Sequence, residues 1–125
     1  MKRILLGRCA VDSGQILLVD PCYLSNWKDG EHDDNKNHYG QCCEMSQNII
    51  GGGEILVSGI AGMGVVASSG LGDGNYPVYA EYANVGSKSS PDIRIKSLTI
   101  DFQLDKMAGI YKRLTNATKS KKKKA

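Results

Sequence analysis

Two aspartates set among turn residues, Asp20 and Asp73, are the side chains best suited by type to carry chemistry. Paired carboxylates that share a site can shuttle a proton to a substrate or hold a magnesium ion. Each is followed three residues later by a tyrosine, in Asp20-Pro21-Cys22-Tyr23 and in Asp73-Gly74-Asn75-Tyr76. An aromatic face beside a carboxylate can stack on a base or a sugar. If both loops emerge at one end of the fold, Asp20, Tyr23, Ser69, Gly70, Gly72, Asp73 and Tyr76 form a ligand-binding set. The simpler role for each Asp is to cap its own turn by accepting a neighbouring N–H. The run Gly70-Leu71-Gly72-Asp73-Gly74 also invites a phosphate reading, because glycines let backbone N–H groups approach an anion. A dinucleotide fingerprint, however, opens a helix, and a P-loop ends in Lys then Ser or Thr. Here a strand pattern follows and no such Lys is present, so a tight turn with a bulge is the plainer interpretation.

Other catalytic or metal sets are weaker, and no catalytic residue, metal ligand or cofactor is assigned. Cys22 or Ser69 as nucleophile would need His32 or His38 as base, yet both histidines fall in one polar stretch where a solvated imidazole is the ordinary case. The four cysteines are Cys9, Cys22, Cys42 and Cys43. Adjacent Cys42 and Cys43 lack the intervening residues of a zinc pair, and in a strand they would point to opposite faces. Buried, inert thiols suit Cys9 and one of the adjacent pair. Asp33, Asn35 and Asn37 alternate as calcium ligands do, but no glutamate closes the loop at the required distance.

The elements that must position these residues are mainly strands. Residues 3–11 and Ile16–Val19 read as a hairpin across Asp12-Ser13-Gly14, the second strand being a continuous apolar run that suits cover on both faces. Asp20-Pro21 stops it. A polar surface loop spans 25–40, with its acidic part at 28–38, and a weakly alternating strand is expected at 41–48. Residues 54–60 form a strand, Gly62-Met63-Gly64 a turn, and 76–83 an alternating strand with Tyr76, Val78, Ala80 and Tyr82 on one face. In the strand over 92–102 the apolar phase flips near Ser97, the mark of a β-bulge. Leu104, Met107, Ala108, Tyr111 and Leu114 lie at helical spacing. The expected fold is mostly β, a β-sandwich or partly open barrel of about seven strands with one short C-terminal helix.

Composition narrows the function. The chain has 125 residues, with 15 Gly and only 3 Pro, which favours tight turns in one β-rich domain over 1–116. Its net charge of +3 comes from Lys119 and Lys121–Lys124; without them 11 basic residues face 13 acidic ones. The body is therefore no basic nucleic-acid platform. Residues 117–125 read as a disordered basic tail, able to make only non-specific contact with nucleic acid. No apolar run is long enough for a signal peptide or a membrane helix, so a cytoplasmic protein without a membrane role is expected.

Three segments carry a family resemblance: Val11-Asp-Ser-Gly14-Gln-Ile-Leu-Leu-Val-Asp20-Pro21-Cys22-Tyr23, Ser68-Ser-Gly70-Leu-Gly72-Asp73-Gly74-Asn-Tyr76-Pro77-Val78-Tyr79 and Ile100-Asp101-Phe102. Together they resemble small proteins of bacteria and tailed phages with a D-P-x-Y opening and a later G-D-G-x-Y-P-V segment, similar to the domain-of-unknown-function family 4241. The resemblance spans residues 11–102 with the acidic loop as its variable part, and it implies a phage origin and hence the host cytoplasm. No chemistry comes with it. The residues favour a non-enzymatic binding protein holding a small polar or nucleotide-like ligand, which a phage could use to sequester a host signalling molecule in anti-defence. A small metal-assisted hydrolase using Asp20 and Asp73 is one alternative. A protein-interaction module acting on a host protein is another. A homo-oligomer is compatible with all three, since small β-domains often build pockets between subunits.

Overall fold

The computed structural model describes residues 2–28, 37–57 and 59–104. The expected C-terminal helix beyond Leu104, the basic tail, and residues 29–36 of the acidic loop lie outside them. Six strands are present among the described residues: β1 (Ile4–Val11), β2 (Gln15–Val19), β3 (Gly52–Val57), β4 (Ile60–Ser68), β5 (Gly74–Asn84) and β6 (Ile93–Ile100). They form two open three-stranded sheets, ordered β1-β5-β6 and β2-β4-β3, rather than a closed barrel. A 3₁₀ helix (Pro21–Asn26) and one α-helix, α1 (His38–Ser46), complete the described elements. The chain divides into two compact units, one drawn from Met1–Cys9 and Asn75–Ala125, the other Ala10–Gly74.

In the Ala10–Gly74 unit, β4 is the central strand and pairs antiparallel on both sides, Leu17 opposite Val66 and Glu54 opposite Val65. Cys42, Ile55, Val57 and Val66 form its buried core, with Leu17, Tyr23, Trp27 and Met63 packed against them. In the other unit β5 pairs antiparallel with β6, and the register slips between Glu81 and Tyr82 so that Lys96 is passed over. That bulge is the phase flip read near Ser97.

Four expectations about the elements need correction. The first two strands do not pair as a hairpin, since β1 and β2 belong to different sheets. Equal apolar runs can pair in several ways, and β2 finds five consecutive partners on β4 instead. Nor is β2 covered on both faces, because Leu18 is 55% exposed. The strand expected at 41–48 is helix α1. Asn37 caps it by accepting the Gly40 N–H, and the buried residues His38 and Cys42 fall four apart on one helical stripe. Finally, Gly62-Met63-Gly64 lies within β4, and the chain reverses earlier, at Gly59 with φ 75°. Gly64 is there for packing: a Cβ would sit 3.2 Å from Ile55 Cγ1 and 3.3 Å from Leu17 Cδ1.

Candidate functional site

Both aspartate turns are built to be closed. After β2, Pro21 occupies the first turn of the 3₁₀ helix, and Asp20 Oδ1 accepts the Cys22 N–H at 3.0 Å. Cys22 is exposed, and partial loss of hydration around the thiol, followed by the hydrogen bond and charge of the adjacent Asp20 carboxylate, raises it above the ordinary value, so it is a poorer nucleophile at neutral pH. The Gly-rich segment is a second closed turn. Ser69 is fully buried; its N–H donates to Gly14 O at 3.0 Å and its hydroxyl to Gly72 O at 2.7 Å. Gly70 and Gly72 take φ of 73° and 117°, values that L side chains rarely adopt. These glycines serve the turn that follows β4.

The β2–β4 register also fixes where the two turns lie. Val19 is opposite Gly64 and Gln15 opposite Ser68, so Asp20 follows one end of the ladder and the Ser69–Asp73 turn the other. Gly72 touches Gly14, six residues before Asp20, which at about 3.3 Å per residue separates the two turns by roughly 20 Å. The expected common rim is therefore not formed within this unit by Asp20 and Asp73. Tyr23 packs against the core. Tyr76 is 7% exposed and meets Phe102 edge-on, ring centroids 5.2 Å apart, in the other unit.

The histidine reading changes as well. His38 is buried, not solvated. Its Nδ1 accepts the Lys28 N–H at 2.7 Å, its own N–H donates to Lys28 O at 3.1 Å, and its ring lies 5.0 Å from that of Trp27. These contacts join Lys28 to His38 and engage Nδ1 of the imidazole. Cys42 is the inert buried thiol of the adjacent pair: burial first, then Cys43, pushes it up to about 11. Cys43 Sγ accepts from Gln15 Nε2 at 3.5 Å. Tyr39 is held above its ordinary value chiefly by its hydrogen bond to Cys43. No group of three or more metal-ligating side chains occurs among the described residues.

What the sequence missed is a groove beside α1. β3 is an edge strand, and α1 and the turn after it lay side chains along it. Asn48 bonds both outward groups of Gly52, accepting its N–H at 3.0 Å and donating to its C=O at 2.8 Å. The register slips between Ile55 and Val57, and Gln41 Oε1 accepts the Leu56 N–H at 2.7 Å. Glu54, two residues after Gly52, turns its backbone the same way, towards the space between these two anchors. That space is a cleft of about 450 Å³ lined by Gln41, Glu44, Met45, Glu54, Leu56 and Ala61. Its lining combines the apolar Met45, Leu56 and Ala61 with the acidic Glu44 and Glu54, and Leu56 is 46% exposed. The signal that could have found it was Asn37 followed by a four-residue spacing of Gln41 and Met45, a capped helix with one stripe left to meet a strand.

No helix among the described residues is long and apolar enough to cross a membrane. Comparison with protein-family models, with curated proteins and with solved structures finds no match for this chain.

Proposed function

We propose that the chain is a non-enzymatic binding protein, and that the groove between α1 and the edge of β3 takes a cationic ligand with an apolar body. A peptide segment in which Lys or Arg adjoins a leucine-like side chain has this chemistry. The observation that carries the reading is that two acidic residues, Glu44 and Glu54, line one cleft together with Met45, Leu56 and Ala61. An apolar lining supplies affinity, and two like charges select for a cation. The volume is in the range of small-ligand and short-peptide sites. A nucleotide-like ligand fits this groove poorly, because its phosphates would meet two carboxylates. At the Gly/Asp turns such a ligand would have to displace the internal bonds of Asp20 and Ser69. The β2–β4 register, which sets Asp20 and the Ser69–Asp73 turn at opposite ends of the ladder, lends the hydrolase reading no support. The interaction-module reading is retained, with a basic segment of a partner protein as the natural occupant.

The test is calorimetric titration of the full chain with acetyl-Lys-Leu-Lys-Leu-Lys-amide and with its Glu-for-Lys counterpart. The basic peptide should bind and the acidic one should not. The double substitution Glu44→Gln with Glu54→Gln should weaken binding about tenfold, the loss of ~1.4 kcal/mol expected for two such charges. Equal affinity for both peptides, or no loss in the double variant, would refute the reading.

A further inference from the structure

The second unit of the chain carries a different surface. Residues directly opposite on antiparallel strands share a face of the sheet. In the β5–β6 pair, Val78 faces Ile100, Ala80 faces Leu98, Tyr82 faces Ile95 and Asn84 faces Ile93. Without the slip at Lys96, Ile93 and Ile95 would lie on the opposite face from Leu98 and Ile100. The bulge realigns all four into one aliphatic row. Register is tightly specified where a face is buried, yet Ile93, Ile95 and Leu98 are 58%, 52% and 56% exposed. The β6 side of the row is built as an interior surface that no described element covers, while Ala80, opposite Leu98, is itself fully buried.

We infer that this face of the β1-β5-β6 sheet is the contact surface between two copies of the chain, packed face to face about a two-fold axis. Three observations favour a second copy as the occupant. The row contains no charged side chain, so it offers nothing to a charged partner and is complementary to itself. On the opposite face, Arg94 is already paired with Asp92 at 2.7 Å. Half-exposed Ile93, Ile95 and Leu98, with Tyr82, Val78 and Ile100 beside them, approach the ~400 Å² at which an apolar patch signals an interface. A standard interface of about 800 Å² per partner is a little over half apolar, so a patch of that size supplies most of its apolar part. Association edge to edge is disfavoured, because β6 carries a bulge with a lysine, both of which blunt a sheet edge. Face-to-face stacking keeps that edge free.

Sedimentation equilibrium of the full chain over a hundredfold concentration range tests this. A reversible dimer is expected, and Ile95→Thr with Leu98→Thr, which keeps strand-forming residues at exposed positions, should weaken it at least a hundredfold while the circular dichroism stays that of the parent. Leu71→Thr, an equally exposed position in a turn of the other unit, should leave the dimer intact. A parent that stays monomeric throughout overturns the inference, whether another segment of the chain or a different protein covers the row. A dimer equally tight in the double variant also overturns it.

Discussion

Each unit holds a three-stranded sheet, and both leave some aliphatic side chains exposed, yet only the β2-β4-β3 sheet buries a cluster of large ones under its own helix. In Ala10–Gly74, Ile55, Val57 and Val66 are at most 1% exposed, and the edge of β3 is sealed by Asn48 and Gln41. In the β1-β5-β6 sheet, Ile4, Leu6, Ile93, Ile95 and Leu98 are all more than half exposed. One aliphatic-rich sheet is finished by its own helix, and the other shows a row that no described element completes. On the two readings proposed above, one chain would carry both a groove for a cationic ligand and a self-associating face. Exposure, not composition, tells them apart.

The same residue type in the two settings sharpens this contrast most. Ile55→Ala empties a core position and should cost about 3 kcal/mol in urea unfolding, whereas Ile95→Ala in dilute protein should cost under about 0.5 kcal/mol. Similar losses at both positions would mean that the β6 row is already buried in the monomer. Next in size is Ser69→Ala, which removes the hydrogen bond of a fully buried hydroxyl to the Gly72 carbonyl; a loss of about 1 kcal/mol is expected in the same assay. If that loss came instead as altered peptide binding with unchanged stability, the turn would be a ligand site after all. Gln41→Ala should cost about 1 kcal/mol, the value of one hydrogen bond, and should open the β3 edge to faster amide exchange at Leu56.

The thiols sharpen the comparison by pH. Cys42 is lifted from 9.0 to about 11 in the folded chain, so the fold retains a proton that the unfolded chain releases. Stability is unaffected by this group below pH 9 and falls as the pH climbs from there towards 11. Alkylation by iodoacetamide, followed by mass spectrometry of the folded protein, should modify exposed Cys22 well before Cys42 at pH 9. Simultaneous modification would contradict the buried placement of α1.

Much of the strand pattern was legible because period-two alternation and turn glycines leave local marks. The stop at Asp20-Pro21 and the bulge in the last strand are both local features. Pairing was not legible: Ile16–Val19 is apolar enough to join several partners, and only the full register with β4 decides. Helix α1 was hidden because its polar residues, Gln41 and Glu44, break the apolar count, while its cap Asn37 reads as one more residue of a polar loop. The Gly/Asp segments looked like ligand loops because a turn that binds its own backbone uses the same residues as one that binds an anion. The groove could not be read from spacing, since Glu44 and Glu54 come to line one cleft only once the helix lies along the strand.

The most direct measurement is a nitrogen-15 shift map of the full chain titrated with acetyl-Lys-Leu-Lys-Leu-Lys-amide at physiological salt. The expected perturbations concentrate at Gln41, Glu44, Met45, Glu54, Leu56 and Ala61, and they vanish in the Glu44→Gln, Glu54→Gln variant. Shifts confined to Asp20–Tyr23 or to Ser69–Tyr76, with the α1 groove silent at saturation, would contradict the assignment of the binding site.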